Sequence, residues 1–175
     1  HTTPGALELQ GLLTKMTDSH MDSVVMEVSS HALAMDRTAG CEYDVAVFTN
    51  LTQDHLDYHR TMEEYFQAKL RLFTQLGQGK KTGQRAIVNM DDPRGALVRA
   101  ACRVPVWGFA VKGRADLQAE QMRLSMNGST FTAATPAGVF SVESRLVGEH
   151  NVYNLLGAIG VALHAGATCV QVQEA

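Results

Sequence analysis

The apolar positions of residues 61–76, TMEEYFQAKLRLFTQL, repeat with the period of an α-helix. Apolar residues that recur every three or four positions form one helix face, which normally packs against a core. We therefore predict a helix over residues 61–77. Lys69 lies on the same face, where a charged ammonium group is costly to bury. The apolar members of this face are Met62, Tyr65, Phe66, Leu70, Phe73 and Leu76.

Four short runs of β-branched and other apolar residues predict strands. They show little alternation between apolar and polar positions, which is typical of strands covered on both faces of a parallel sheet. A succession of such strands and helices indicates an α/β fold. The four runs are SVVMEVSS at 23–30, YDVAVFTN at 43–50, RAIVNMDD at 85–92 and VPVWGFA at 104–110.

Capping residues mark further helices around these strands. Thr3 and Asn151 are candidate N-caps, and Gly166 is a candidate C-terminal stop. The predicted helices span residues 4–17, 93–102 and 152–165.

The residue pattern changes over residues 114–147, where apolar and polar residues alternate. Asn127-Gly128 and Pro136-Ala137-Gly138 supply turns, so we predict an antiparallel meander. The predicted fold class is α/β, with a mostly parallel sheet flanked by helices and a small antiparallel β meander.

Composition narrows the classes of function. A chain of 175 residues has the size of one domain and can bury a core without metal or disulfide staples. Its net charge of −3 and its lack of any Lys/Arg block argue against a nucleic-acid-binding surface. No apolar run approaches the ~18 residues of a membrane span. Cys41, Cys102 and Cys169 are odd in number, which predicts free thiols in a reduced, intracellular protein.

Polar residues stand at the ends of two predicted strands. Glu27 is either a buried carboxylate that needs a partner, or a strand-end residue that reaches solvent or an arginine. Ser29–His31 follow it, and Asp54–His59 follow the second strand. Ligands of open α/β sheets collect beyond the carboxyl ends of the strands, so these residues are candidates for a site. His55 and His59, spaced i, i+4, are either zinc ligands or ordinary loop histidines.

Lys69 has two interpretations. Its stem can cover the core while its ammonium group reaches water, as helical lysines commonly do. Alternatively it is buried beside metal ions. Desolvation favours the neutral amine of a lysine, and a neutral amine can combine with carbon dioxide to form a carbamate whose oxygens bind Mg²⁺.

Six segments occur in the same order in the Mur ligases of bacterial peptidoglycan synthesis, and the chain resembles that family over essentially its whole length. The resemblance implies a cytoplasmic, monomeric, ATP-dependent carboxylate-amine ligase. It is closest to the branch that adds a diamino acid, meso-diaminopimelate or L-lysine, to UDP-MurNAc-L-Ala-D-Glu (the UDP-MurNAc-dipeptide) through an acyl phosphate. The six segments are HTTPGALELQ, MEVSSHAL, FTNLTQDHLDYH, YFQAKLRLF, NMDDP and GEHNVYNLLGA.

The resemblance also implies roles for individual residues. Glu27, His55 and Lys69 match the positions that hold two Mg²⁺ ions in the family, with Lys69 carbamylated. Lys69 and His55 are then the catalytic residues. His1 and Met35 stand where some members have Asn and Gln, which weakens the match at these two substrate contacts. The substrate-binding positions are Thr2, Thr3, Ser29, Arg37, His1 and Met35.

The segment GEHNVYN resembles the part of the family that lies near the bound nucleotide. It implies that His150, Asn151 and Asn154 approach ATP, while capping explains Asn151 equally well. Asp91 and Asp92 of NMDDP are weaker candidates.

The resemblance places residues 1–175 within the central, ATP-binding domain of a Mur ligase. The phosphate-binding motif G-x-x-G-K-[ST] does not occur in the sequence. We expect that motif, the first strand, the N-terminal UDP-binding domain and the C-terminal amino-acid-binding domain to lie outside these residues. The 175 residues alone are then expected not to catalyse ligation, since the motif is what holds the phosphates.

Three alternatives stay open at this point. One is a related ligase of the folylpolyglutamate synthetase type, which shares the sheet and the modified lysine. Another is a hydrolase that bridges two metals with a carbamylated lysine, although the early His-x-His it would need does not occur in the sequence. The third is a non-catalytic module that folds and binds a partner.

Overall fold

The computed structural model describes residues 2–52 and 58–175. These residues form one sheet of six strands in the order β1-β2-β3-β4-β5-β6. The strands are β1 Val45–Phe48, β2 Arg85–Asn89, β3 Val106–Ala110, β4 Leu117–Ser125, β5 Gly128–Thr135 and β6 Gly138–Ser144. The helices are α1 Ala6–Asp18, α2 Ser30–Ala34, α3 Met62–Gln75, α4 Gly95–Ala101, α5 Glu149–His164 and α6 Cys169–Glu174.

The sheet combines parallel and antiparallel pairing. β1, β2 and β3 are parallel neighbours, and β4 joins them through a short parallel pairing of Phe109 with Leu117. β4, β5 and β6 then pair in antiparallel fashion. The predicted α/β fold with a meander is confirmed, and the meander continues the parallel sheet. None of the helices in the described ranges has the length and apolar character needed to cross a membrane.

The core lies on both faces of the parallel strands. Successive strand residues point to opposite faces. Ile87 accordingly packs with Phe109 and Leu156 in the cluster below α5, whereas Val88 packs with Phe66 in the cluster below α3 and α4. Both faces of β2 are therefore covered, which explains why its sequence is a continuous apolar run.

Helix α3 confirms the predicted amphipathic face. Thr61 caps it, because its side chain accepts a hydrogen bond from the Glu64 N–H. Tyr65, Phe66 and Phe73 are buried along the face.

Helix α5 approaches the sheet closely through two glycines. A Cβ atom at Gly160 would lie 3.1 Å from Ile87 Cγ2, and one at Gly157 would lie 3.4 Å from Val47 Cγ1. The helix ends as predicted at Gly166, whose φ of 95° turns the chain.

The strand predicted over residues 23–30 is wrong. Residues 23–29 adopt no regular structure, and Ser30 begins α2. A strand needs a neighbour to bind its backbone groups, and within the described part of the chain the sheet begins at β1. Val25, which a covered strand would bury, is 93% exposed, and Glu27 is exposed as well.

Two predicted helix starts are also corrected. α1 begins at Ala6 after Gly5, because the Thr3 hydroxyl is hydrogen-bonded to another segment. α5 begins at Glu149, since the positive φ of Gly148 turns the chain there. Asn151 thus lies inside the first turn of α5 and is not its N-cap.

The three cysteines are free, as predicted. Burial raises the pKa of the Cys102 thiol to about 11. This thiol therefore stays protonated near neutral pH and behaves as a small apolar side chain.

We expect Gly95→Ala to lower the free energy of unfolding by about 2 kcal/mol, because overpacking forces the backbone to shift. Gly95 is buried at the start of α4, and a Cβ atom there would lie 2.1 Å from the Asn89 carbonyl oxygen. Urea denaturation measures the change. Gly11→Ala is the matched control: no atom lies within 4 Å of its Cβ position in α1, and a helical Ala should raise stability by about 0.5–1 kcal/mol. Equal stability of the two variants would contradict the close contact.

Candidate functional site

Lys69 lies at the carboxyl end of β1. It lines a small cavity of about 40 Å³ together with Thr49 and Asn50, which follow β1, and Val28, which precedes α2. The Lys69 side chain is half-buried, and its Nζ lies 5.3 Å from the centroid of the Tyr65 ring. The amine thus faces the strand edge where the sequence predicts a site.

Three of the predicted substrate-binding residues meet in one hydrogen-bond network. The buried Thr3 hydroxyl donates to the Glu27 carbonyl at 2.9 Å and accepts from the Ser29 N–H at 3.0 Å. Arg37 Nη1 donates to the Thr3 carbonyl at 3.3 Å. The network holds residues 2–3 against the segment that enters α2.

The other predicted substrate residues lie at the border of this network. The Met35 side chain is exposed and accepts a contact from Arg37 Nη2 at 3.1 Å to its sulfur. Thr2 is exposed beside Thr3. His1 lies outside the described residues.

The predicted metal-binding set is only partly described. His55 lies outside the described residues, as do Asp54 and Asp57. Glu27 is described and exposed, and its backbone carbonyl belongs to the Thr3 network. Across residues 2–52 and 58–175, no three His, Cys, Asp or Glu side chains are grouped closely enough to hold a metal ion.

The donor chemistry fits Mg²⁺ on one condition. Mg²⁺ prefers oxygen ligands, and an ammonium or amine at Lys69 supplies none. A carbamate at Lys69 would supply an anionic oxygen beside Thr49 and Asn50, whose side chains also carry oxygen and which line the same cavity. The residues present therefore fit Mg²⁺ only with Lys69 carbamylated.

The strand ends are held by two side chains from the end of β2 and the loop after it. Asn89 Nδ2 donates to the Thr49 carbonyl at 2.7 Å, and the Leu51 N–H donates to Asp92 Oδ2 at 2.8 Å. The loop after β1 is thus fixed to β2 directly before the undescribed residues begin.

Asp91 binds the neighbouring loop and α5. Its carboxylate accepts hydrogen bonds from three consecutive N–H groups of residues 111–113 and from the Tyr153 hydroxyl, at 2.7–2.9 Å. Burial acts to raise the pKa of Asp91, but these hydrogen bonds outweigh it and hold the pKa below its ordinary value. Burial and the adjoining carboxylate in turn raise the pKa of Tyr153. Asp91 therefore acts as a structural brace, and its oxygens are already engaged.

The predicted nucleotide residues form a polar surface at the start of α5. Asn151 Nδ2 donates to the Val147 carbonyl at 2.9 Å and lies 3.2 Å from His150 Nε2. Asn154 Nδ2 donates to Asn151 Oδ1 at 3.3 Å, and both His150 and Asn154 are exposed. Because Tyr153 on the same turn binds Asp91, this surface lies near the carboxyl end of β2, next to the strand end that faces Lys69.

A larger cleft lies elsewhere and does not coincide with the site. It measures about 380 Å³ and is lined by the C-terminal half of α3, with Arg71 and Gln75, and by Glu42 and Tyr43. Among the predicted site residues that the structure describes, none lines this cleft. The predicted site residues that the structure describes therefore lie outside this cleft.

Comparison with known proteins identifies the family. A family model described as the Mur ligase middle domain matches residues 1–162. The chain belongs to the Mur ligase family. The order of the six motifs and the α/β sheet agree with this assignment.

Individual Mur ligases show how much of such a protein the chain represents. The chain is 45% identical over 168 residues to UDP-N-acetylmuramoyl-L-alanyl-D-glutamate--2,6-diaminopimelate ligase of Bacillus velezensis, covering 95% of the chain and 34% of the relative. It is 46% identical over 167 residues to the ligase of the same name from Geobacter metallireducens, covering 93% of the chain and 33% of the relative. The chain thus spans about a third of the length of these Mur ligases.

A solved Mur ligase structure confirms the fold. A structure of a UDP-N-acetylmuramoyl-L-alanyl-D-glutamate--2,6-diaminopimelate ligase superposes with a TM-score of 0.88 at 33% identity. The match covers 99% of the chain and 36% of the solved protein. The described sheet is therefore that of the Mur ligase middle domain.

We expect Asp91→Asn to lower the free energy of unfolding at neutral pH by about 2 kcal/mol, since an amide N–H would face the loop N–H donors. The folded-state pKa of Asp91 lies below its unfolded value of about 3.9. Its stabilising contribution is therefore complete above the unfolded pKa and is lost as the pH falls through the folded pKa. Urea denaturation of both proteins across this range should show their stabilities converging in acid.

The control for this prediction is Asp22→Asn, a change at an exposed residue. Such surface changes usually alter stability by less than about 0.5 kcal/mol. A stability gap between wild type and Asp91→Asn that persists in strong acid would show that the charge of Asp91 is not what stabilises the fold.

Proposed function

We propose that the full protein is an ATP-dependent ligase of peptidoglycan precursor synthesis that adds meso-diaminopimelate to UDP-MurNAc-L-Ala-D-Glu. The observation that carries this proposal is the 45% identity over 95% of the chain to a ligase named for that reaction. The geometry supports it, because Lys69, the Thr3 network and the start of α5 all border the strand edge where such a substrate would bind.

The reaction has two steps. The terminal carboxylate of the dipeptide attacks the γ-phosphorus of ATP, which forms an acyl phosphate and releases ADP. The amine of the diamino acid then attacks the acyl carbon, phosphate leaves, and the nitrogen loses a proton to give the amide. Both steps move negative charge onto oxygens, so positioning and electrostatic stabilisation are what the protein must provide.

The muramoyl-dipeptide is proposed to bind at the Thr3 network. Arg37 carries a guanidinium group whose fork suits a carboxylate or phosphate, and it is already oriented by the Thr3 carbonyl. Ser29 and the exposed Thr2 contribute polar groups beside it. Met35 presents a sulfur where some Mur ligases have an amide, so its contact with substrate would be apolar.

Lys69 is proposed to act as a carbamate. Its neutral amine combines with carbon dioxide and loses a proton, which turns a cation into an anionic oxygen ligand. With Glu27 and His55 it would hold Mg²⁺, two ions in the full enzyme. When bound, these ions would neutralise charge on the transferring phosphoryl group.

ATP is proposed to lie against the start of α5, where His150 and Asn154 offer exposed ring and amide groups beside the half-buried Asn151. The phosphates would be held by a phosphate-binding motif outside residues 1–175, and the UDP and amino-acid ends of the reactants by further domains of a monomeric, cytoplasmic bacterial protein. On this proposal the 175 residues alone do not ligate.

The decisive test is a ligation assay on the full-length protein with UDP-MurNAc-L-Ala-D-Glu, ATP and either meso-diaminopimelate or L-lysine. We expect ADP and phosphate to form in equal amounts with the tripeptide product, and diaminopimelate to be preferred. A dipeptide whose terminal carboxylate is amidated is the control, because it cannot form an acyl phosphate. Glutamate addition to a folate, with no reaction of the muramoyl substrate, would favour the folylpolyglutamate synthetase alternative.

We expect Lys69→Ala in the full-length protein to lower kcat by about 10²–10³-fold, as removal of one transition-state contact does. Alanine favours helix, so α3 should persist and the circular dichroism spectrum should be unchanged. Gln67→Ala is the control, because Gln67 is exposed on the same helix.

Native mass spectrometry tests the modification itself. Wild type with bicarbonate and Mg²⁺ should carry the mass of one added carbon dioxide, and Lys69→Ala should not. Near-normal turnover of Lys69→Ala, or an unmodified Lys69 in the active enzyme, would contradict the carbamate.

A further inference from the structure

A buried histidine joins two parts of the candidate site and has no role in the proposed chemistry. His59 is 5% exposed, and its Nε2 lies 2.9 Å from the hydroxyl of Ser30, which is 1% exposed. Buried polar groups are costly unless they are hydrogen-bonded, so this pair constrains both segments. His59 precedes α3 in the chain, whereas Ser30 begins α2.

On the α2 side, the constraint reaches the substrate network. Ser29 caps α2 by accepting a hydrogen bond from the Ala32 N–H, and its own N–H is bound to the Thr3 hydroxyl. Ser30 follows directly as the first residue of the helix. Because adjacent residues in a capped turn move together, fixing Ser30 also fixes Ser29 and the Thr3 network.

On the α3 side, the constraint reaches Lys69. The His59 ring stacks on the Tyr65 ring, with centroids 5.4 Å apart and an interplanar angle of 27°. Tyr65 is 4% exposed, and Lys69 Nζ lies 5.3 Å from the centroid of the same ring. Tyr65 and Lys69 are one helical turn apart, so their side chains lie next to each other on α3.

We propose that His59 is a positioning residue: through Ser30 and Tyr65 it sets the position of the muramoyl-dipeptide contacts that flank α2 relative to Lys69 on α3. The inference rests on the proposed function, because it concerns the alignment of that substrate. An apolar side chain could fill the same space without the cost of burying an imidazole. A hydrogen bond adds a direction that packing alone does not supply.

The test compares four variants of the full-length protein in the ligation assay. Ser30→Ala and His59→Leu remove the hydrogen bond, and we expect each to lower kcat by about 10- to 100-fold, as small misplacements of reacting groups do. The KM for ATP should stay unchanged, since the start of α5 is not involved. His59→Gln should recover most of kcat, because its amide can reach the Ser30 hydroxyl.

Ser129→Ala is the matched control. Ser129 is 1% exposed, and its hydroxyl donates to the Leu146 carbonyl at 2.7 Å. This bond joins the segment that leads into α5 to β5, which β2, β3 and β4 separate from β1 in the sheet. Ser30→Ala and Ser129→Ala each remove a buried hydroxyl, so both should lower the thermal midpoint. Only Ser30→Ala should lower kcat when both proteins are assayed well below their midpoints.

Each outcome decides the proposal. Equal kcat for Ser30→Ala and Ser129→Ala in an otherwise active enzyme overturns the positioning role alone. The positioning role is also overturned if the kcat of His59→Gln is as low as that of a folded His59→Leu. If His59→Leu does not fold, the comparison of Ser30→Ala with Ser129→Ala decides. Absence of ligation by the wild type overturns the proposed function, and the positioning role with it.

Discussion

The carboxyl ends of the parallel strands carry backbone groups that lie beyond the strand ladders, and the fold depends on three side chains that bind them. Asn89 and Asp92 bind the backbone of residues 49–51, and Asp91 binds residues 111–113. Backbone groups removed from water must be hydrogen-bonded. These three residues therefore allow the sheet to end in a polar edge that is ordered before any ligand arrives.

The candidate site gains its order from rigid neighbours. Lys69 is carried by a helix whose neighbouring residues are buried against the sheet. Tyr153 holds the start of α5 to Asp91, which lies in the loop after β2. Sites supported by packed helices hold their geometry more closely than sites on loops. Lys69 is thus held at the carboxyl end of β1, and the candidate nucleotide-binding residues of α5 are held near the carboxyl end of β2.

The sequence predicted those parts of the fold whose signal is local. Three patterns can be read within a single segment: the apolar face of α3, the continuous apolar runs of β1 to β3 and the alternation of the meander. Residues 23–30 have an equally apolar run, but a strand also requires a neighbour, and periodicity cannot supply one. Thr3 was misassigned for a similar reason, since capping is a local preference and its hydroxyl binds Glu27 and Ser29 more than twenty residues away.

The same distinction between local and distant signals applies to the residues of the candidate site. Lys69 could be singled out from sequence because a charged residue on an apolar face is visible within one helix. Its proposed role as a metal ligand came from the resemblance to the family. Asn89 and Tyr153 went unnoticed because their hydrogen-bond partners are distant in sequence. The polar residues at the end of β2 were the available signal that Asn89 binds the end of the neighbouring strand. Glu27 lies exposed, so burial of its carboxylate was the wrong reason to single it out.

The close approach of α5 to the sheet has an evolutionary consequence. At Gly160 the Ile87 side chain of β2 leaves a Cβ atom too little room, with Leu117 of β4 next to it. A larger residue on the helix can be accepted only if the strand residue becomes smaller, or if the helix moves outward and takes the Tyr153 turn with it. Positions 87 and 160 should therefore change together among homologues, and the hydrogen bond between Tyr153 and Asp91 restricts which pairs are tolerated.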